Sequence, residues 1–313
     1  MSTHRLDESA TGVFIISATP FDDDGELDLE SVDRLADFYI GHGVSGITVL
    51  GMMGEAHKLS PVESQTFLDR MLKRVNGRVP VVVGVSNAGL DALAHLSQSS
   101  MDMGAAGVMV APLAGLGTEQ KVYNYFDQVF EALGPDVPVC YQDFPVATRT
   151  EVSVPLLTRM IEAFDQLVML KHEECPGLSK LSAMRTASDA GGRRVSILCG
   201  NGGLYLPQEL ARGADGAMTG FAYPEMLVEV VALYQAGERD RAEDVFDAYL
   251  PLVRHEQQPG WGLALRKEVL HRRGAIASPK VRLPGPSLNS TDHDELSRLI
   301  ARVERNVETI GTP

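Results

Sequence analysis

The chain has 313 residues, of which 44% are hydrophobic and 22% are charged, and its formal net charge is −14. These proportions are near the average for globular proteins, so they exclude a disordered chain or a fibre repeat. The acidic excess argues against nucleic-acid binding, which depends on basic patches. The longest apolar runs fall short of the ~18 residues of a membrane span, and the polar N-terminal stretch predicts a cytoplasmic protein.

Short runs rich in valine and isoleucine alternate with helical patterns along most of the chain. The runs predict strands at 13–21, 46–51, 79–85, 107–112, 138–144, 167–173, 195–200 and 216–220. The segments between them predict helices near 28–42, 61–76, 90–104, 118–133, 153–165, 176–190, 203–213 and 224–236. Hydrophobicity that continues along a strand is typical of parallel strands buried on both faces.

Eight strand–helix units in succession predict an α/β protein, a (β/α)8 TIM barrel over residues 12–237. A doubly wound sheet is the main alternative, but the turn after the first strand lacks the GxGxxG fingerprint of that fold. Three further helical patterns follow without a flexible linker, at 239–257, 259–273 and 291–307. We expect residues 238–310 to form a helical layer that packs on the barrel or builds an oligomer interface.

Active sites of TIM barrels lie at the C-terminal ends of the strands, so these ends hold the candidate residues. The second strand ends in the turn GMMGE, whose first four residues are Gly51, Met52, Met53 and Gly54. Glycines let the backbone approach a ligand, and successive free N–H groups can hold a carboxylate. The alternative explanation is a tight turn that needs glycine for its backbone angles.

The sixth strand carries Lys171 within an otherwise apolar run. Burial lowers the pKa of a lysine and yields the neutral amine that a Schiff base requires. The alternative is a lysine at the barrel rim that reaches solvent or pairs with Glu173. Because side chains alternate along a strand, Glu173 faces the same way as Lys171, and His172 faces the helices. Glu173 is therefore either an acid/base partner or one half of a structural ion pair.

Polar side chains also end the fifth, seventh and eighth strands. Tyr141 and Gln142 are neighbours on the fifth strand, so only one of them can face the barrel interior. Asn201 and Thr219 follow the last two strands and can bind hydroxyl groups, although both residue types are also common in turns. The three cysteines are widely spaced and lack a CxxC pattern, so we expect no disulfide framework, metal or other cofactor.

The GMMGE turn, the strand-5 segment ending at Pro145 and Lys171 together resemble the dihydrodipicolinate synthase / N-acetylneuraminate lyase family. The resemblance runs from about Gly12 through the C-terminal helices. It implies a (β/α)8 barrel with a helical extension, commonly a homotetramer. It also implies that Lys171 forms a Schiff base with a 2-keto acid such as pyruvate, whose carboxylate is held by backbone N–H groups of residues 51–54.

Several residues depart from the pattern of dihydrodipicolinate synthases. Met52 and Met53 stand where those enzymes have threonines, Gln142 stands at the tyrosine position, and Ala147 stands at the arginine position. In the synthases, the threonine and tyrosine relay a proton. Glutamine can orient a substrate or a water but has no useful acid/base pKa. The departures therefore argue against the synthase activity itself.

Three features resemble the L-2-keto-3-deoxyarabonate dehydratases of the same family: the strand-5 sequence QDFP, the glutamate two residues after Lys171, and the tail segment LPLVRHEQQ. This resemblance implies dehydration of a 2-keto-3-deoxy sugar acid. Lys171 would then be the electron sink, Glu173 would move protons, and Gln142 and Asn201 would hold hydroxyl groups. Two alternatives remain open at this point. One is a dihydrodipicolinate synthase or another pyruvate-dependent aldolase, and the other is a non-catalytic barrel that binds a keto acid.

Overall fold

The structure is a computed structural model that describes residues 4–310, while residues 1–3, where the polar N-terminal stretch begins, and residues 311–313 lie outside it. Eight parallel strands follow one another in chain order and close into a barrel. They are β1 (Gly12–Ile16), β2 (Gly46–Val49), β3 (Val81–Gly84), β4 (Gly107–Val110), β5 (Val139–Asp143), β6 (Leu167–His172), β7 (Ser196–Cys199) and β8 (Gly216–Ala217). The predicted TIM barrel is confirmed.

Helices follow the strands and surround the barrel. They are α1 (Leu29–Gly41), α2 (Pro61–Val75), α3 (Leu90–Asp102), α4 (Glu119–Leu133), α5 (Pro145–Thr148), α6 (Val154–Ala163), α7 (Leu178–Asp189), α8 (Leu206–Ala211) and α9 (Pro224–Gln235). Three more helices complete the chain: α10 (Arg239–Glu256), α11 (Gly262–Arg272) and α12 (Ser290–Ile310). Within residues 4–310, we find no helix that combines the length and the apolar character needed to span a membrane.

Local sequence signals explain where many of these helices begin and end. Helix α2 begins with a capping box, in which the Ser60 hydroxyl accepts from the Glu63 amide and the Glu63 side chain accepts from the Ser60 amide. The helix then ends at Asn76, which adopts the left-handed conformation, followed by Gly77 with φ of 69°. Such residues at a C-terminus satisfy the last carbonyl groups at little steric cost.

The strands are shorter than predicted at their C-terminal ends. The first strand is predicted to run to residue 21, whereas β1 ends at Ile16. Pro20, within the predicted run, has no N–H group for a ladder. The single helical turn α5 was also missed, since the pattern QDFPVATRT contains no apolar period of helical length. Both differences fall at the mouth of the barrel, where the backbone departs from regular structure.

Apolar side chains fill the barrel interior. Phe14, Met109, Met169, Leu198 and Met218 belong to one buried cluster there. The Phe14 ring lies against Gly46 so closely that a Cβ atom at Gly46 would be 2.4 Å from it. A filled interior leaves no channel, so ligands can bind only at the ends of the strands.

The C-terminal helices confirm the predicted extension. Helix α10 packs against α9 and α12, and α11 packs against α10. An ion pair also connects the extension to the barrel, because Lys267 Nζ of α11 lies 2.6 Å from Glu55 Oε1 after β2. The domain division at 237/238 stays a prediction.

Candidate active site

A cavity of about 420 Å³ opens at the C-terminal ends of the strands. The predicted site residues that line it are Met52, Met53, Gln142, Lys171, Glu173, Asn201 and Thr219. The connection between α10 and α11 closes one side of it with residues 257–260. With Ile16 of β1, which also lines the cavity, six of the eight strands send residues to it, together with a segment of the C-terminal extension.

Lys171 and Glu173 form a buried ion pair in this cavity. Lys171 Nζ lies 3.0 Å from Glu173 Oε2, and the side chains are 6% and 9% exposed. Gln142 Nε2 donates to the same carboxylate oxygen at 2.7 Å. The Glu173 amide donates to the Asp143 carbonyl at 2.9 Å, which continues the β5–β6 ladder by one residue. Glu173 Oε2 thus lies between the Lys171 amine and the side-chain amide of Gln142, which keeps the carboxylate in place.

Gly200 makes room for the Glu173 side chain. A Cβ atom at Gly200 would lie 2.2 Å from Glu173 Cγ, a distance that no side chain tolerates. Asn201 follows in the left-handed conformation, and its Nδ2 donates to the Glu173 carbonyl at 3.1 Å. The turn after β7 therefore positions Glu173 from two directions. Asn201 lines the cavity, but part of its amide is committed to the backbone.

The GMMGE turn presents three backbone amides. Among residues 4–310, none accepts a hydrogen bond from the N–H groups of Met52, Met53 or Gly54. The Gly54 carbonyl accepts from Thr19 Oγ1 at 2.6 Å. Gly54 is buried and does not line the cavity, and Gly51 lines a neighbouring one. The roles of these two glycines in substrate binding stay predictions.

The buried side chain of Glu55, the last residue of the turn, holds the turn in place through both carboxylate oxygens. Glu55 is fully buried with φ of 53°, and its Oε2 accepts from Lys58 Nζ at 2.9 Å and from the Arg282 amide at 3.0 Å. Its Oε1 accepts from Lys267 Nζ. Burial lowers the pKa of Lys267 to about 8, although the charge of Glu55 opposes the shift. The turn is therefore fixed in part by two groups of the C-terminal extension, the ammonium of Lys267 and the backbone amide of Arg282.

His172 faces away from the cavity, as strand alternation predicts, and Tyr141 faces away as well. The Tyr141 ring packs against Phe126 of α4, with 5.0 Å between the ring centroids. His172 Nε2 is 2.9 Å from the Gly177 carbonyl, and its Nδ1 is 3.6 Å from Asp143 Oδ2. Burial lowers the pKa of His172, but Asp143, the Gly177 carbonyl and the charge of Glu209 together raise it above its ordinary value. Neither ring can therefore reach a ligand in the cavity.

Sequence reasoning missed Arg266 and Glu256, which also line the cavity. Arg266 Nε donates to Glu256 Oε2 at 2.8 Å, and both side chains are almost fully buried. Burial raises the pKa of Glu256, and Arg266 partly offsets this effect. Glu256 lies in the segment LPLVRHEQQ, but that resemblance gave it no role, and no local pattern marks Arg266, because the helices α10 and α11 reach the cavity only through tertiary packing. Ala147, which stands at the arginine position of the synthases, does not line the cavity, and neither does the nearby Arg149.

A second cavity of about 670 Å³ lies beside the first, between the GMMGE turn and α3. The two share Met52 and Gln142. The described lining of the larger cavity includes His57 and His95 but no lysine, arginine or carboxylate, so amine chemistry belongs to the smaller one. Residues 4–310 contain no group of three or more His, Cys, Asp or Glu side chains arranged to hold a metal ion.

Comparisons with known proteins agree with this architecture. The sequence model of the dihydrodipicolinate synthetase family matches residues 9–303. The L-2-keto-3-deoxyarabonate dehydratase of Azospirillum brasilense is 31% identical over 298 residues, which cover 94% of each chain. A 4-hydroxy-tetrahydrodipicolinate synthase of Methanococcus maripaludis, strain C5, is 26% identical over 246 residues, which cover 78% of this chain and 82% of that protein. The resemblance to the dehydratase branch that the sequence suggested is thereby confirmed.

A solved structure extends the agreement to three dimensions. The crystal structure of dihydrodipicolinate synthase from Rhodopseudomonas palustris superposes with a TM-score of 0.94 at 46% sequence identity, and the match covers 96% of this chain and 100% of that one. Because the family model spans nearly all residues and the barrel agrees, the chain belongs to the dihydrodipicolinate synthetase family, whose members are lyases.

Proposed function

We propose that the protein is a Schiff-base lyase that dehydrates a 2-keto-3-deoxy sugar acid. The observation that carries the proposal is the 3.0 Å contact between Lys171 Nζ and Glu173 Oε2 inside the cavity of about 420 Å³. The pair combines a nucleophile with an adjacent carboxylate, which is what imine chemistry followed by proton transfer requires. The similarity to a protein named as a 2-keto-3-deoxy acid dehydratase supports the choice of substrate class.

Imine formation begins when Lys171 transfers its proton to Glu173. The neutral amine then attacks the C2 carbonyl carbon of the keto acid. The carbonyl oxygen leaves as water with one proton from the amine nitrogen and the proton that Glu173 gives back, so that Glu173 is again a carboxylate. The product is a protonated imine, which withdraws electrons from C3 and makes a C3 proton acidic.

Dehydration follows from the same two residues. Glu173, as a carboxylate, removes the C3 proton, and the C–H electron pair moves into the imine to give a neutral enamine. The enamine then expels the C4 hydroxyl group, which takes a proton from Glu173 and leaves as water. Hydrolysis of the unsaturated imine frees Lys171 and releases the product. One carboxylate accepts and returns the proton, because C3 and C4 are adjacent.

Other residues of the cavity would position the substrate. The unpaired amides of the GMMGE turn suit the C1 carboxylate, since backbone N–H groups bind anions. The polar groups that would bind the hydroxyl groups of the sugar acid belong to Gln142, Asn201 and Thr219. Gln142 also donates to Glu173 and thereby limits the orientations of that carboxylate.

A second candidate is the condensation of pyruvate with an aldehyde, as in dihydrodipicolinate synthases. The 46% identity to a structure named as such a synthase favours it. Against it, the position of the relay tyrosine is Gln142, and the ring of Tyr141 packs against α4 instead. Among the described residues, no tyrosine lines the cavity, so no phenolic hydroxyl is available for a proton relay.

We also infer a homotetramer in the cytoplasm, with residues 12–237 as the catalytic barrel and 238–310 as an attached helical layer. The support is the family resemblance. Light scattering on the purified protein tests the assembly, and a mass other than four chains contradicts it.

Borohydride trapping with pyruvate tests the imine. Reduction should add the mass of reduced pyruvate to the peptide that contains Lys171, and Lys171→Ala should abolish the label. Lys267 is the other lysine to check for the label, because its lowered pKa gives it a larger neutral fraction than an ordinary lysine has. It lines neither cavity, so we expect its peptide to stay unmodified. A label on Lys267, or none on the wild type, contradicts the proposed chemistry.

A substrate screen decides between the two reactions. Purified protein is offered 2-keto-3-deoxy sugar acids, and separately pyruvate with aspartate semialdehyde, and the products are identified by mass. Loss of one water from the sugar acid supports the dehydratase. Efficient condensation together with inert sugar acids supports the synthase and contradicts the proposal.

A further inference from the structure

Two cationic side chains line the cavity, Lys171 and Arg266. Arg266 comes from α11 in the C-terminal extension and is 4% exposed. Its Nη1 lies 2.6 Å from the Met53 Sδ atom of the GMMGE turn. Gly220 keeps the approach open, because a Cβ atom there would be 3.0 Å from the same nitrogen. The guanidinium group therefore lies beside the turn that presents free backbone amides.

The partners of Arg266 leave part of its hydrogen-bonding capacity unused. Glu256 accepts from Nε, and the thioether of Met53 is only a weak acceptor for Nη1. Within residues 4–310, no oxygen accepts from Nη1 or Nη2. A buried guanidinium with unsatisfied donors is costly unless a ligand supplies acceptors. A carboxylate fits best, since it can accept two parallel hydrogen bonds from such a group.

The position of Glu173 decides which end of the substrate lies at Arg266. Glu173 must reach C3 and C4 to transfer protons, so these atoms lie on the side of β6 and β5. The C1 carboxylate is on the other side of C2, toward the Met53 turn and β8. This is the side where Arg266 meets Met53 and Gly220.

The charge balance of the reaction points to the same group. Lys171 is positive in the protonated imine but neutral in the enamine, so its attraction for the carboxylate changes during turnover. Arginine remains protonated throughout. Glu256, which is buried, fixes the guanidinium by its hydrogen bond to Nε and leaves the other edge for an anion.

We propose that Arg266 binds the C1 carboxylate of the keto acid together with the backbone amides of the GMMGE turn, and that Glu256 is a positioning residue for Arg266. This inference rests on the proposed function for the identity of the ligand. It gives the C-terminal extension a direct part in recognising the substrate.

The test compares pyruvate with methyl pyruvate, its uncharged ester, in borohydride trapping. The double variant Arg266→Gln, Glu256→Gln removes both charges together, so no buried charge is left unpaired. The half-saturating concentration of pyruvate should rise about 10- to 100-fold, the range for a lost hydrogen bond to a charged group. That of methyl pyruvate should stay unchanged. An unchanged value for pyruvate, or an equal rise for both compounds, overturns the proposal.

Two further variants exclude a general structural effect. Arg273 follows α11 and pairs with Glu225 outside the cavity, so Arg273→Gln should leave both values unchanged. Arg266→Lys keeps the charge but loses the planar fork, and it should weaken pyruvate less than the double variant. If circular dichroism shows that the double variant is unfolded, Arg266→Lys carries the test. A rise in the half-saturating concentration of pyruvate but not of methyl pyruvate then supports the proposal, and an equal rise for both overturns it.

A binding measurement separates this inference from the proposed function. Calorimetry with pyruvate is carried out on Lys171→Ala, with and without the double substitution, where no imine can form. Weaker binding in the triple variant supports Arg266 even when the wild type fails to trap pyruvate, a failure that contradicts only the Schiff base. Equal affinity of Lys171→Ala and of the triple variant for pyruvate overturns the role of Arg266 but does not contradict the proposal that Lys171 forms a Schiff base.

Discussion

Lys267 of α11 and Glu55 after β2 form a fully buried ion pair, with 2.6 Å between Nζ and Oε1. Lys267→Met should lower the free energy of unfolding by about 3 kcal/mol, near the lower end for a broken buried pair, because Lys58 still pairs with the other oxygen. Urea unfolding measures the change. The exposed pair of Lys73 and Asp69 serves as control, and Lys73→Met should cost less than ~1 kcal/mol. If the two variants lose the same free energy of unfolding, the buried pair contributes no more to stability than the exposed pair, and the prediction is wrong.

Glu173→Gln should separate imine formation from turnover. The amide cannot accept the C3 proton, so dehydration should slow by ~10²–10⁴-fold. Pyruvate should still be trapped on Lys171, because water can take the lysine proton in place of Glu173 when the trapping reaction is given time. Steady-state rates and borohydride labelling give the two readouts. Glu174→Gln is the matched control, since Glu174 pairs with Lys180 and does not line the cavity. Full activity in Glu173→Gln would show that another group moves the protons.

Tyr141→Phe should leave the reaction unchanged. Its hydroxyl is buried with no hydrogen-bond partner among the described residues, and the ring faces α4. Burial raises the pKa of this hydroxyl well above its ordinary value, so it is a poor acid. A substantial loss of kcat would instead show that Tyr141 turns into the cavity during catalysis.

Glu209→Gln should stabilise the protein in neutral and basic solution. Burial raises the pKa of Glu209 from 4.5 to about 7, so the folded state holds this proton more tightly than the unfolded state. Its contribution to stability is complete below pH 4.5 and is lost as the pH rises through 7. Near pH 8 the variant should therefore be more stable than the wild type by roughly 1–3 kcal/mol.

Urea unfolding at several pH values checks the Glu209 prediction. The two stabilities should converge near pH 4, where the carboxyl group is protonated in both states. Curves that remain parallel from acid to base would mean that Glu209 is not the group responsible.

Periodicity and strand alternation were sufficient to predict the barrel and the orientations of Lys171, Glu173 and His172. These features depend on neighbours in the chain, so a pattern of two or of 3.6 residues reveals them. Alternation left open whether Tyr141 or Gln142 faces the interior, and the family resemblance placed Gln142 there. The contact of Gln142 with Glu173 follows from the pairing of adjacent strands.

Arg266 and Glu256 could not be found in this way. They lie on helices whose relative placement depends on packing against α9 and the barrel, and no periodic pattern encodes which face of α11 reaches the cavity. The anchoring of Glu55 was missed for the same reason, because its partners Lys267 and Arg282 are distant in sequence.

The anchoring of Glu55 has a consequence for synthesis on the ribosome. The barrel strands and Lys171 emerge first, but the Glu55 carboxylate lacks two of its partners until Lys267 and Arg282 have been made. A nascent chain that already carries the reactive amine therefore has an unfixed β2 turn and no Arg266. We expect chains ended before Gly262, which lack about the last sixth of the protein, to fail to trap pyruvate even with Lys171 present.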